Sequence, residues 1–163
     1  MAGPSILERS IEIGAPVAEV FAFHLDTRNA ALISPDGTRI LSVEGIFPVV
    51  TGAVVTMRMR QRPNPFPMTW RVRIDEVHSP DRVVDVAERS PFVQWRHEHL
   101  FTSLGAGCTR MTDRVTYRLP AGPLGRIVDR LVVRRQLSSA FEERHRRTRD
   151  LLEERARGSA STE

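Results

Sequence analysis

The chain has 163 residues, 40% hydrophobic and 27% charged, a mixture suited to one globular domain and too short for two comfortable ones. One cysteine, Cys108, excludes an intrachain disulfide and points to a reducing, cytoplasmic setting. The net charge of +4 comes from 24 basic residues that are all Arg, whose high pKa lifts the pI to about 10.7 without a broad basic surface, so no nucleic-acid partner is expected.

Met1-Ala2-Gly3-Pro4 lacks the basic start of a signal peptide. Residues 6–13 read as a first strand, with Ile11 and Ile13 alternating against Glu12. Pro16 suits a helix start. Val17, Val20, Phe21, His24 and Leu25 then follow helical spacing. Asp26 is a natural N-cap for a second short helix reaching Ile33. Ser34-Pro35-Asp36-Gly37 breaks the chain, and the period changes to two. Strands are expected over 39–47, 52–62, 68–75, 82–88, 92–102 and 108–119. Pro63-Asn64-Pro65-Phe66-Pro67 is a loop whose apolar tip either borders and gates a pocket or is a rigid hairpin tip unrelated to any ligand. Gly105-Ala106-Gly107 is a hairpin rather than a phosphate cradle. The turn spacing predicts an antiparallel meander.

After Pro120-Ala121-Gly122-Pro123 the period becomes helical. Leu124, Ile127, Val128, Leu131, Phe141, Thr148 and Leu152 predict one apolar stripe on a single helix ending near residue 155. A tail over 158–163 is expected to be disordered, leaving one domain over 1–157. The fold class predicted is α+β: a curved antiparallel sheet of about seven strands around a long C-terminal helix, with two short helices after strand 1. No apolar run approaches the roughly 20 residues of a membrane helix, so no integral membrane association is expected. The oligomeric state stays open.

Several stretches carry a family resemblance: Ala15-Pro16-Val17-Ala18-Glu19-Val20-Phe21, Ser34-Pro35, Pro91-Phe92-Val93-Gln94-Trp95-Arg96-His97-Glu98-His99-Leu100-Phe101, Thr109-Arg110-Met111-Thr112-Asp113-Arg114-Val115 and Gly122-Pro123-Leu124-Gly125. With this element order, the chain resembles the START-like, or SRPBCC, superfamily with its helix-grip fold. It is similar to the polyketide cyclase/dehydrase-like ligand-binding branch. The resemblance covers residues 6–153 and implies a cavity between sheet and terminal helix. It implies no cofactor and no metal. The superfamily includes lipid carriers and aromatase/cyclases, so fold alone does not select a function.

Strand parity selects the site. Trp95, His97, His99 and Phe101 share one face, and Met111, Asp113, Val115 and Tyr117 share the next. Their apolar neighbours turn both faces inward, which buries two imidazoles and a carboxylate that need each other. Three uses are open: a polar pair that fixes the sheet, a polar floor orienting a ligand, or a general base for cyclisation or dehydration. The His-x-His spacing also suits a metal with Asp113 or Asp85 as third ligand, though nothing follows at a recognised metal spacing. Asp85 turns inward in the Val83, Asp85, Ala87 phase and outward in the other. Arg134 and Arg135 interrupt the helix stripe; one of them reaches inward, or both snorkel to solvent. Arg144, Arg146, Arg147 and Arg149 sit among acids, as on a salt-bridged face.

The predicted function is binding, transport or sequestration of a small hydrophobic or amphipathic molecule. Its ligand-binding residues are Met57, Met59, Trp70, Asp85, Trp95, His97, His99, Phe101, Met111, Asp113, Leu131, Arg134 and Phe141. The second expectation is an aromatase/cyclase-type enzyme with His97, His99 and Asp113 as catalytic groups. The third is a lipid-surface or protein-interaction module built on the basic helix.

Overall fold

The computed structural model describes residues 3–120 and 122–160. Strand β1 (Ser5–Ile13) leads into helix α1 (Val17–Leu25) and a 3₁₀ turn (Thr27–Ala31). Six strands follow: β2 (Thr38–Glu44), β3 (Val54–Gln61), β4 (Met68–His78), β5 (Arg82–Arg89), β6 (Gln94–Gly105) and β7 (Cys108–Arg118). Helix α2 (Gly122–Val128), a π-helical turn (Asp129–Val133) and helix α3 (Arg134–Ala160) come last. Among the described residues no helix is long and apolar enough to cross a membrane.

All seven strands form one antiparallel sheet, ordered β1-β7-β6-β5-β4-β3-β2. β2 to β7 are the predicted meander. β1 pairs with β7 from Ser5 opposite Tyr117 to Ile13 opposite Thr109. α1 and the 3₁₀ turn therefore carry the chain from one sheet edge to the other. The Pro16 carbonyl accepts the Val20 N–H at 3.1 Å and starts α1, whose Val20, Phe21 and Phe23 are buried. The Asp26 carboxylate accepts the Arg28 N–H at 3.1 Å and starts the 3₁₀ turn. The β6–β7 hairpin turns through Gly105 at φ 82°, a left-handed conformation that costs glycine nothing.

α3 lies across the concave face and is gripped at both ends. Leu152 packs with Ile13, Val20, Phe21, Phe101 and Met111. Phe141 packs with Leu7, Trp95, Val115 and Tyr117. The buried stripe of α3 is Phe141, His145, Thr148 and Leu152, a 4-3-4 spacing.

The helical run is continuous from Gly122 to Ala160 through the π turn, and the correction falls on the predicted apolar stripe. Leu124 and Ile127 are 64% and 57% exposed, and Leu131 is 66% exposed. The residue turned inward here is Asp129, which accepts the Ser5 and Tyr117 hydroxyls, each at 2.6 Å. A π turn inserts one residue into the helical repeat. The apolar side chains before the turn thereby lose phase with those after it. α3 also continues through Ala160, past the predicted boundary at residue 157. The rest of the expected tail, residues 161–163, lies outside the described residues.

Candidate functional site

Between α3 and the sheet lies a cavity of about 210 Å³. Its apolar wall includes Phe23, Ile33, Ile40, Met57, Met59, Trp70, Trp95, Leu137 and Phe141. Its ionisable lining is Asp26 and a wall of His24, Asp85, His97, His99 and Arg144. Asn29, Ser34, Thr38 and Gln61 add neutral polar groups.

Sheet register builds the ionisable wall. β5 sets Asp85 opposite His97, and β7 sets Asp113 opposite His99. Asp113 lies beneath the histidines, 4% exposed. Its Oδ1 accepts from His97 Nε2 at 3.0 Å, and its Oδ2 accepts from His145 Nε2 at 2.6 Å. His99 Nδ1 is 2.6 Å from Asp113 Oδ1 but makes no hydrogen bond to it. On the cavity side, Asp85 Oδ2 is 3.6 Å from His97 Nδ1 and 3.8 Å from His99 Nε2. Each imidazole thus turns one nitrogen to Asp113 and the other towards Asp85. Phe141 stands edge-on to the His97 ring at 5.2 Å, and His24 lies 5.2 Å from His99.

Burial alone would raise the Asp113 carboxyl. The charges of His99 and His97, with hydrogen bonds from His145 and His97, outweigh it and hold Asp113 well below the usual carboxylate range. An ionised carboxylate only accepts, so His97 and His145 carry their protons on Nε2. Asp85 behaves oppositely: burial pushes it up to about 6 against the pull of His99 and Arg144. Burial, then repulsion from His99, lowers His24 to about 3. His99 is lowered by burial and by His97.

The site residues predicted from sequence separate into three groups. Met57, Met59, Trp70, Asp85, Trp95, His97, His99 and Phe141 line the cavity, with Asp85 in its inward phase. Phe101, Met111 and Asp113 are buried behind the wall, at 3%, 1% and 4% exposure. Leu131 and Arg134 are corrections: both are exposed and neither lines the cavity, because the Asp129 anchor turns their face away. The gate expectation also fails. Phe66 is 73% exposed and no residue of 63–67 lines the cavity. An Asn64 side chain that accepts the Phe66 N–H at 3.0 Å holds the loop's own turn.

Sequence reasoning missed His24, Arg144 and His145. The 141-145-148-152 spacing is the pattern that would have found His145. The basic cluster is divided. Arg147 pairs with Asp36 and Glu143 at 2.6 and 2.7 Å, and Arg149 with Asp150 at 2.9 Å. Arg144 instead turns to the cavity and covers the Phe141 ring at 5.4 Å.

A family model described as polyketide cyclase / dehydrase and lipid transport matches residues 6–153. Two uncharacterized proteins of Mycobacterium tuberculosis, from strains CDC 1551 / Oshkosh and H37Rv, are each 30% identical over 116 residues, 71% of this chain. That match is 49% of their own length, so the chain spans about half the length of the curated relatives it matches. Among solved structures, the di-domain ARO/CYC StfQ from the steffimycin biosynthetic pathway superposes with TM-score 0.75 at 15% identity, over 94% of this chain and 52% of that one. A Nitrosomonas europaea protein gives 0.72 at 15% identity, over 93% and 96%. The Zhui aromatase/cyclase from Streptomyces sp. R1128 gives 0.65 at 15% identity, over 91% and 96%. These superpositions show a shared helix-grip fold.

Proposed function

Because the chain belongs to the polyketide cyclase / dehydrase and lipid transport family, we propose that it binds a small hydrophobic or amphipathic molecule between the sheet and α3. The observation that carries this reading is the division of the cavity into an apolar wall and an ionisable one. A ligand with an apolar body and one polar end satisfies both. Met57 and Met59 supply adaptable surface. Arg144 offers a cation for a carboxylate or enolate oxygen. Trp70 Nε1, buried without a hydrogen-bond partner, is a donor that a ligand carbonyl would satisfy. Transport or sequestration would follow from binding alone.

Native mass spectrometry of the purified protein, paired with titration of an apolar fluorescent probe, tests this. A retained small molecule or saturable probe binding is expected. Absence of both overturns the reading.

A second reading is an aromatase/cyclase-type enzyme acting on a polyketide-like substrate. What favours it is one carboxyl and two imidazoles on a single cavity wall, within 3.8 Å of each other through Asp85. Cyclisation with dehydration removes a proton from carbon and delivers one to a departing oxygen, and such a cluster can do both. In an assay with a defined poly-β-ketone, Asp113→Asn would keep binding and lose cyclisation if this reading holds. Unchanged turnover would sink it. The lipid-surface reading has its own test, salt-sensitive binding to anionic liposomes.

A further inference from the structure

We propose that Asp85, His97 and His99 form a binding site for a first-row divalent transition metal, with its open coordination positions facing the cavity. The inference starts from lone pairs. Asp113 takes a proton-bearing nitrogen from His97, and His99 Nδ1 faces the same carboxylate. Donation from His97 Nε2 leaves His97 Nδ1 an acceptor, and a proton on His99 Nδ1, beside the same carboxylate, would leave His99 Nε2 one. Both point towards Asp85 Oδ2, itself an acceptor when ionised, at 3.6 and 3.8 Å. One ligand atom from each of the three residues lies within 4.8 Å of the others. Three acceptors converging in a buried wall repel one another unless a cation or a proton lies between them.

The spacing fits a metal. Bonds of about 2.0–2.1 Å to nitrogen and oxygen place tetrahedral ligand atoms about 3.4 Å apart. The Asp85 separations of 3.6 and 3.8 Å need a contraction of a few tenths of an ångström, in a cluster whose ligand atoms lie within 4.8 Å of one another. Two imidazoles and one carboxylate select zinc, iron, cobalt or nickel over magnesium or calcium. Asp113 supplies what metal-bound histidines regularly have, a carboxylate behind the ring that fixes tautomer and orientation. Charge also balances, since a dication offsets the carboxylates of Asp85 and Asp113. All three ligands line the cavity, so a bound ligand's oxygen could complete the coordination.

The test uses the tag-free full chain, stripped with chelator and titrated with cobalt(II) alone. One saturable equivalent with visible d–d bands, displaced by zinc, is expected. Asp85→Asn and His99→Gln should each weaken binding at least tenfold. Asp113→Asn keeps all three ligands and should weaken it about 10–100-fold. His78→Ala removes an exposed histidine outside the cluster and should change nothing. Near-UV circular dichroism reports whether each variant folds, and the wild-type titration decides even if none does. Absence of a one-equivalent site in the wild type overturns the proposal. So does a site that survives in folded Asp85→Asn and His99→Gln. Organic ligand and probe are absent from this experiment, so its outcome is independent of whether the cavity binds an apolar molecule.

Discussion

Asp113, on β7, faces three imidazoles from one strand and a helix. His97 and His99 stand on β6 and His145 on α3, so one carboxylate ties the sheet to the helix laid across it. Asparagine in its place keeps the shape but turns an N–H donor towards ring donors. Asp113→Asn should therefore lower unfolding free energy by about 1–3 kcal/mol in urea titrations. An unchanged midpoint would show the network to be slack. His24 gives a pH prediction. Its folded pKa of about 3 lies below the ordinary 6.5, so across that window the unfolded chain holds the extra proton. Its contribution makes stability fall as pH drops from 6.5 towards 3, with no further loss below. Asp85, raised to about 6, acts in the opposite sense between its ordinary value and 6. Comparing wild type with His24→Phe in chelator isolates the histidine. The variant should lose less stability between pH 7 and pH 5.

At the scale of elements, the π turn decides which helix side chains count. Leu152 is 3% exposed in the cluster with Ile13 and Phe21, and Leu152→Ala should cost about 2–5 kcal/mol. Leu131, which a continuous stripe would bury equally, is 66% exposed. Leu131→Ser should stay within about 0.5 kcal/mol of wild type. Thermal unfolding of the two variants separates the cases, and comparable losses would mean that Leu131 is packed. The same turn explains Asp129. Its carboxylate accepts Ser5 and Tyr117, and burial together with that hydrogen bond raises the Tyr117 phenol above its ordinary value.

At the scale of the whole molecule, the cavity lies where the Leu137–Arg144 stretch of α3 faces the sheet, beside the His145–Asp113 contact that ties the two together. Ala140 sits on α3 beside Phe141 and lines the cavity. Ala140→Phe should fill the space, leave the fold intact by circular dichroism, and weaken apolar-probe binding at least tenfold. Undiminished probe binding in that folded variant would move the ligand elsewhere. The seven-strand order also explains why the site is one wall. β5, β6 and β7 are adjacent, so Asp85, His97, His99 and Asp113 form a row although they come from three strands.

Much of this was determined locally, and therefore by sequence. Period-two alternation named the strands and their inward residues, because side-chain direction in a strand depends only on parity. That is why Trp95, His97, His99 and Asp113 were legible as inward, and why the helix-grip order followed from the switch of period after Gly122-Pro123. Tertiary structure decided what depends on register and on distant partners. Asp85 had two possible phases until pairing set it opposite His97. His145 and Arg144 lie on a charged helix stretch and became site residues only when α3 docked over the sheet. Leu131 and Arg134 read as inward from their spacing. A hydroxyl on β1 and another on β7 captured Asp129, and that long-range pair, which no local pattern encodes, turned them out.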